Sequence, residues 1–157
     1  MMAGWIIHEG QAVALPAENI DTDQLIPARF MSAARAEGYG DYLLYDQRVD
    51  EAGTMRPDMP LNRRPGASIL VAGRNFGSGS SREAAVYALV DFGIRAVIAP
   101  SFGDSFAANA VNNALLPARV SAADCGVLMA ARDGESRGAR IDLERCELTV
   151  ADQTFSF

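Results

Sequence analysis

The amino-acid sequence predicts an α/β fold, a mixed and partly parallel sheet flanked by helices. The apolar run at 69–72 passes through a loop of glycines and serines into a helix-forming segment at 83–91. A second, β-branched run at 95–99 passes through Ser101-Phe102-Gly103 into another helical segment that ends near Asn113. Two strand–loop–helix passages in succession argue for parallel neighbours joined by crossover helices. The last third differs. Short strand candidates at 119–120, 126–130, 139–143 and 147–150, divided by charged turns such as that at 132–135, suit antiparallel pairing at the periphery and a barrel-like closure.

A chain of 157 residues fits one domain, 1–157, with a core of ordinary size. Its apolar fraction of 49% and charged fraction of 22% are those of a folded protein. Arginine supplies all 14 positive charges, and the net charge of −6 argues against broad nucleic-acid binding. No apolar stretch approaches the ~18 residues of a membrane span, and the N-terminus lacks the apolar core of a secretory signal. The two cysteines, Cys125 and Cys146, are too few for a disulfide scaffold or an iron–sulfur cluster. The expectation is a cytoplasmic protein that binds no metal or cofactor itself, any redox centre being held by another chain.

Taken in order, residues 4–8 and 11–15 are mixed runs divided by Glu9-Gly10, the pattern of a hairpin. His8, the only histidine, stands in no acid or thiol spacing that supports chemistry and reads as a partly exposed strand residue. Asn19-Ile20-Asp21-Thr22-Asp23-Gln24-Leu25-Ile26-Pro27 is rich in short polar side chains that bond to nearby backbone, so it reads as a turn, with Thr22 or Asp23 suited to cap the next segment. Its paired carboxylates could also position an arginine or a loop. Residues 29–37 form a candidate amphipathic helix with Phe30, Ala33 and Ala34 on one side, stopped by Gly38. Tyr39, Tyr42 and Tyr45 share one face of a further short helix. Residues 49–65 read as a long irregular connection, a mobile cover or binding loop or else a solvated insertion, with Arg56, Arg63 and Arg64 available to an anion. Val86, Leu89 and Val90 give the first long helix its apolar stripe, and Asp91-Phe92-Gly93 ends it.

Between the first strand and that helix lies Gly73-Arg74-Asn75-Phe76-Gly77-Ser78-Gly79-Ser80-Ser81-Arg82-Glu83, with three glycines and three serines. A small-residue loop feeding a helix N-terminus offers bare N–H groups to an anion. It is not a nucleotide loop: the phosphate-cradling pattern needs a lysine, of which the chain has none, and the glycine spacing misses the dinucleotide fingerprint. A serine hydrolase would need a histidine and an orienting acid, and the Gly-x-Ser-x-Gly elbow is absent. Two readings remain for Ser78, Ser80 and Ser81: a polar loop that caps a helix, or a site where N–H donors stabilise an alkoxide or a carboxylate beside the planar fork of Arg82.

The same stretch resembles the signature of the swivelling domain of the aconitase family, in its isopropylmalate-isomerising branch. The 19–27 motif, Gly38-Tyr39-Gly40, Asp91-Phe92-Gly93-Ile94-Arg95-Ala96-Val97-Ile98-Ala99-Pro100-Ser101-Phe102-Gly103-Asp104 and Asn112-Asn113-Ala114-Leu115-Leu116-Pro117 extend the resemblance over roughly residues 5–120. It implies a β/β/α swivelling domain that is one half of a heterodimeric hydro-lyase, inactive alone. The larger subunit would carry a 4Fe–4S cluster, and the substrate would be a small hydroxy-diacid, 2-isopropylmalate and 3-isopropylmalate being the pair in leucine biosynthesis. The resemblance makes Ser80 the base that removes a proton α to a carboxylate. It makes Ser81 and Arg82, with Asn75 and Ser78, substrate-binding, and Asp21, Thr22 and Asp23 supporting residues. The loop at 30–48 would shape selectivity. The chain departs from the family at Ala84, where a histidine is usual. This departure points to altered support at the helix start, to another diacid such as homoaconitate, citraconate or a methylmalate, or to a binding module without chemistry. Relatives of this pattern also continue into a helical tail, so the ending Phe155-Ser156-Phe157 points to a shortened or specialised form.

Overall fold

The structure, a computed structural model, describes residues 4–132 and 137–157. Strand β1 (Ile7–Leu15) is the hinge of the sheet. It pairs in parallel with β2 (Ile69–Ala72) and antiparallel with β5 (Arg137–Asp142). On the parallel side lie β3 (Ala96–Ala99) and β4 (Leu116–Arg119). On the antiparallel side lie β6 (Glu147–Val150) and β7 (Gln153–Ser156), giving the order β4-β3-β2-β1-β5-β6-β7.

The central strands are buried on both faces, which is why β2 and β3 read as unbroken apolar runs. Alternate side chains divide between two cores. Val13, Leu70, Ala72, Val97 and Ala99 join helix α4 (Ala84–Phe92) and helix α5 (Asp104–Asn112) on one face. Ala12, Ile69, Val71, Ala96 and Ile98 join helix α6 (Ala122–Arg132) and the inner residues of β5–β7 on the other. Short helices α1 (Thr22–Leu25), α2 (Tyr45–Arg48) and α3 (Pro60–Arg63) lie in the long passage between β1 and β2. Gly93, at φ 115°, ends α4 by donating to Leu89 O and Val90 O, the expected left-handed stop.

Several expectations are corrected. The 4–15 segment is no hairpin. Gly10 lies within continuous β1, where the Ser68 hydroxyl fills the space a Cβ would need. Residues 126–130 are helical, not a strand: Ser121 caps α6 through the Asp124 N–H, and Cys125 and Leu128, three apart, both face the core. In place of the antiparallel strand expected at 119–120, residues 116–119 form a parallel edge strand next to β3. Among the described residues the seven strands run in a linear order without closing into a barrel. Strand β7 has no counterpart among the expected strands. The 29–37 segment forms two single 3₁₀ turns, at Ala28–Phe30 and Arg35–Glu37, instead of one helix. Tyr42 stacks on Phe30 at 4.5 Å between centroids, while Tyr39 is buried. The 49–65 segment is not a loose cover. Val49 bridges Met55, Leu61 is fully buried, and buried Arg48 donates to Asn62 Oδ1 (2.9 Å) and Leu43 O (3.0 Å). At the helix start expected near 21–23, Asp21 is the cap, neither Thr22 nor Asp23. Of the charged turn expected at 132–135, residues 133–135 lie outside the described residues.

This packing makes two outcomes measurable. Leu70→Ala, at a position with no exposure in the centre of the sheet, should lower unfolding free energy by about 2–5 kcal/mol in a urea titration. His8, whose Nε2 lies 2.8 Å from Ser68 Oγ, is held below the ordinary imidazole value by burial and then by the charge of Arg95. The unfolded chain therefore takes up this proton first as pH falls. The contribution of His8 is complete above its ordinary pKa and is lost as pH falls through that value towards the folded one. Thermal midpoints between pH 8 and pH 5 should fall less steeply for His8→Gln than for the parent.

Candidate active site

The site is assembled from three chain segments at the carboxyl ends of the parallel strands, where open α/β sheets place their ligand clefts. The 73–83 loop follows β2, the 16–26 segment follows β1, and the 100–104 turn follows β3. Main-chain bonds lock the first half of the loop between the other two. Asn19 N–H donates to Arg74 O (2.9 Å), Gly77 N–H to Ile20 O (2.7 Å) and Thr22 N–H to Ser78 O (2.9 Å). On the other side Phe76 N–H donates to Ser101 O (3.1 Å) and Gly103 N–H to Phe76 O (2.9 Å). The crossing requires glycine: Gly77 has φ 76°, and a Cβ there would overlap the Phe106 ring.

Asp21 sets the orientation of the facing segment. Its carboxylate accepts from Gln24 N–H (2.8 Å) while the Gln24 side chain accepts from Asp21 N–H (2.9 Å), a complete capping box. The first turn of α1 thereby presents Thr22 inward and Asp23 outward. Thr22 Oγ1 lies 3.2 Å from Ser80 Oγ. Asp23 pairs with Arg82 Nη1 at 2.5 Å, and the same Nη1 donates to Ile26 O (3.3 Å). The Arg82 side chain is mostly buried, whereas Ser80 and Ser81 are exposed.

Beyond Ser78 the loop's backbone changes character. Among the described residues, the N–H groups of Gly79, Ser80, Ser81 and Arg82 have no acceptor, and α4 opens at Glu83 without a side-chain cap. A row of free donors, a helix N-terminus, two hydroxyls and one anchored guanidinium favours a carboxylate or an oxyanion.

Of the residues singled out from sequence, Asp21, Thr22, Asp23, Ser78, Ser80 and Arg82 come together here. Ser78 acts through its backbone carbonyl, and Ser81 adjoins the group, its carbonyl taking a bond from Asn109 Nδ2 (3.4 Å). Asn75 sits at the other end of the loop at φ 59°, its side chain donating to Asn19 Oδ1 (2.9 Å) and its N–H to Ser101 Oγ (2.8 Å). Arg56 lies among Gln47, Asp50 and Asp58 in a separate recess. His8 is bonded to Ser68, which precedes β2 rather than following it, so it lies at the opposite end of the sheet. Sequence reasoning gave Asn19 and Ser101 no role of their own, although both lie in motifs that carry the resemblance, and it missed the reach of Asn109. Asn109 and Asn113, four apart and so on one helical face, carry the only signal: Asn113 also bridges to Glu83 (3.2 Å). Ala84 is buried in the core at the first turn of α4.

No group of three or more His, Cys, Asp or Glu side chains among the described residues could hold a metal ion. Cys125 is buried with its thiol donating to Ala72 O (3.3 Å), and burial pushes that thiol up from its ordinary pKa. Cys146 is exposed in the turn after β5. A pair so disposed does not fit an iron–sulfur cluster, which needs three or four thiolates. No helix among the described residues is long and apolar enough to cross a membrane.

The fold and this loop define an aconitase-type swivelling domain, and residues 2–123 match the aconitase C-terminal domain family. A 3-isopropylmalate dehydratase small subunit from Shewanella sp. strain ANA-3 is 50% identical over 148 residues, covering 90% of this chain and 73% of the relative. One from Shewanella oneidensis is 48% identical, covering 99% and 81%. Among solved structures, a 3-isopropylmalate dehydratase from Methanocaldococcus jannaschii superposes with a TM-score of 0.71 at 30% identity, covering 96% of this chain and 81% of that one. Aconitase X from Thermococcus kodakaraensis shares the fold alone, at a TM-score of 0.50 and 15% identity. The chain belongs to the aconitase C-terminal domain family, among the small subunits of 3-isopropylmalate dehydratase.

Because Gly77 combines a left-handed backbone with contact against Phe106, Gly77→Ala should destabilise the fold by at least about 1 kcal/mol, read as a lowered urea midpoint. Gly66→Ala, at an open position with ordinary φ, should leave the midpoint nearly unchanged.

Proposed function

We propose that this chain is the small subunit of a heteromeric hydro-lyase that interconverts 2-isopropylmalate and 3-isopropylmalate in leucine biosynthesis, working in the cytoplasm with a larger, cluster-bearing subunit. The observation that carries the reading is the Ser80-Ser81-Arg82 set, its two serines exposed and its neighbouring N–H donors unpaired at the carboxyl ends of the parallel strands. Kinship at about half identity with small subunits of that enzyme supports the choice of substrate.

In this reading Ser80 Oγ, as its alkoxide, takes the proton from the carbon α to a substrate carboxylate. The electron pair left behind becomes the carbon–carbon double bond, and the hydroxyl on the adjacent carbon departs with its bonding pair. Rehydration returns proton and hydroxyl to the opposite carbons. Free donors on the loop stabilise the negative charge on Ser80, which a serine could not carry at neutral pH in bulk water. Ser81 and the unoccupied edge of the Arg82 guanidinium hold a substrate carboxylate, with Asn75 and Ser78 forming the wall of the loop. Asp23 holds Nη1 and so fixes the plane of that fork. The Lewis acidity required by the departing hydroxyl is assigned to a 4Fe–4S cluster on the larger subunit, since the thiols of this chain do not fit one.

The test is reconstitution with the large subunit of such an enzyme. The isolated chain should show no turnover and the mixed complex should interconvert the two isopropylmalates. Ser80→Ala should lower kcat by about 10²–10⁴-fold, and normal turnover by that complex would remove Ser80 as the base. Arg82→Lys, which replaces a planar fork by a point charge, should reduce kcat/KM by about 10- to 100-fold.

A further inference from the structure

We infer that Thr22 is a positioning residue for this reaction, its buried hydroxyl donating to Ser80 Oγ and favouring the ionised form of that oxygen. The inference rests on the reading of Ser80 as the base.

Thr22 is 2% exposed and is, with Arg48, one of two buried polar or charged residues among those described. Among the described residues its hydroxyl has a single hydrogen-bond partner, Ser80 Oγ at 3.2 Å. A threonine inside a helix commonly turns its hydroxyl back to a carbonyl one turn earlier. Thr22 is the first residue of α1, with no helical turn before it, so that outlet is missing. Its backbone is fixed independently: the N–H donates to Ser78 O (2.9 Å), the carbonyl accepts from Ile26 N–H (3.0 Å), and Asp21 caps the turn. The loop settles on this hydroxyl because Gly79, at φ 101°, has no side chain. A Cβ there would lie 3.3 Å from Thr22 Oγ1.

These facts fix the direction of the proton. With Ser80 neutral, either hydroxyl can donate. With Ser80 ionised, Ser80 can only accept, and Thr22 becomes an obligatory, charge-assisted donor. The branched Thr22 side chain, stiff at χ1, keeps that donor aimed without reorganisation. The charged groups around the pair are Asp21 and Asp23 on the same segment, Arg82 on the loop and Glu83 at the start of α4. All four remain when Thr22 or Ser80 is replaced.

The experiment uses the complex with the large subunit and compares Thr22→Val, Thr22→Ser and Ser80→Ala, each checked for thermal midpoint and subunit binding. Thr22→Val should lower kcat by about 10²-fold, the scale of one lost oxyanion donor, with KM changed less than about threefold. The rise of kcat with pH should move to higher pH. Thr22→Ser should restore most of kcat and the original profile. If Thr22→Val does not fold, Thr22→Ala carries the same comparison. Unchanged kcat and pH profile in the variant lacking the hydroxyl would overturn the inference, as would a loss carried by KM or a Thr22→Ser enzyme as impaired as Thr22→Val. Turnover by Ser80→Ala would instead overturn the assignment of the base, and this inference with it. An inactive Ser80→Ala beside a normal Thr22→Val would remove the inference alone.

Discussion

The structure depends on one close approach of backbones, where the loop after β2 passes between the segments that follow β1 and β3. Gly77 is the crossing point. Its N–H is taken by Ile20 O on one side, and Gly103 comes so near on the other that a Cβ on Gly103 would lie 2.6 Å from Gly77 O. Buried backbone groups must find partners, and the N–H groups of Gly73, Asn75, Phe76 and Gly77 and the carbonyls of Arg74, Phe76 and Ser78 find them in the two neighbouring segments. Past Ser78 the contacts with neighbouring segments run through side chains and one carbonyl, and among the described residues the N–H donors of Gly79 to Arg82 emerge unpaired just where α4 begins. The loop is thus held mainly through its first half, and its free donors lie together in the second.

Two ion pairs join the same pair of segments, and their surroundings separate them. Arg74 pairs with Glu18 at 2.7 Å, but both side chains are more than half exposed, so water and salt screen the pair. Arg82 is 19% exposed and donates also to the Ile26 carbonyl, which fixes a guanidinium plane rather than merely pairing charges. Its partner Asp23 stays 71% exposed. A carboxylate so hydrated can hold Arg82 without cancelling its attraction for a second, incoming carboxylate. The pairing belongs to orientation more than to stability.

The parts legible in the sequence are those in which local pattern and tertiary role agree. Strands β2 and β3 are buried on both faces and read as apolar runs; α4 carries its stripe and its Gly93 stop; the glycine–serine loop announces bare backbone. Misreadings arise where one residue type serves two ends. Gly10 looks like a turn and is a gap for Ser68. Gly126 and Val127 look like strand residues, yet both are exposed on a helix whose buried positions are Cys125 and Leu128. The 49–65 segment looks loose because its anchor, Arg48, is a charged residue whose burial sequence pattern does not foretell. At the site, the Asp21–Asp23 motif can be seen, but not which member does what. The cap is Asp21, the arginine partner Asp23, and the serine contact Thr22, and that contact joins residues 58 apart in the chain. No periodicity encodes such a pairing.

On the proposed function, Ala84 and the exposure of Ser80 bear together on why such a site is completed by another chain. Ala84 packs into the core beside Ala85 and Val86, so the start of α4 is anchored by apolar contact, and Glu83 takes its bond from Asn113. Rigidity at the helix start therefore does not depend on a polar side chain at that position. Ser80, however, is open to water, and hydrogen bonds from backbone donors and a neighbouring hydroxyl are weak in competition with solvent. The same donors act far more strongly once water is excluded and the local dielectric falls. On the proposed function, a docking partner supplies that exclusion as well as the Lewis acid. On that reading, a loop preorganised by Gly77 and Thr22 stays inert in the free chain, the charge on Ser80 being stabilised only after assembly.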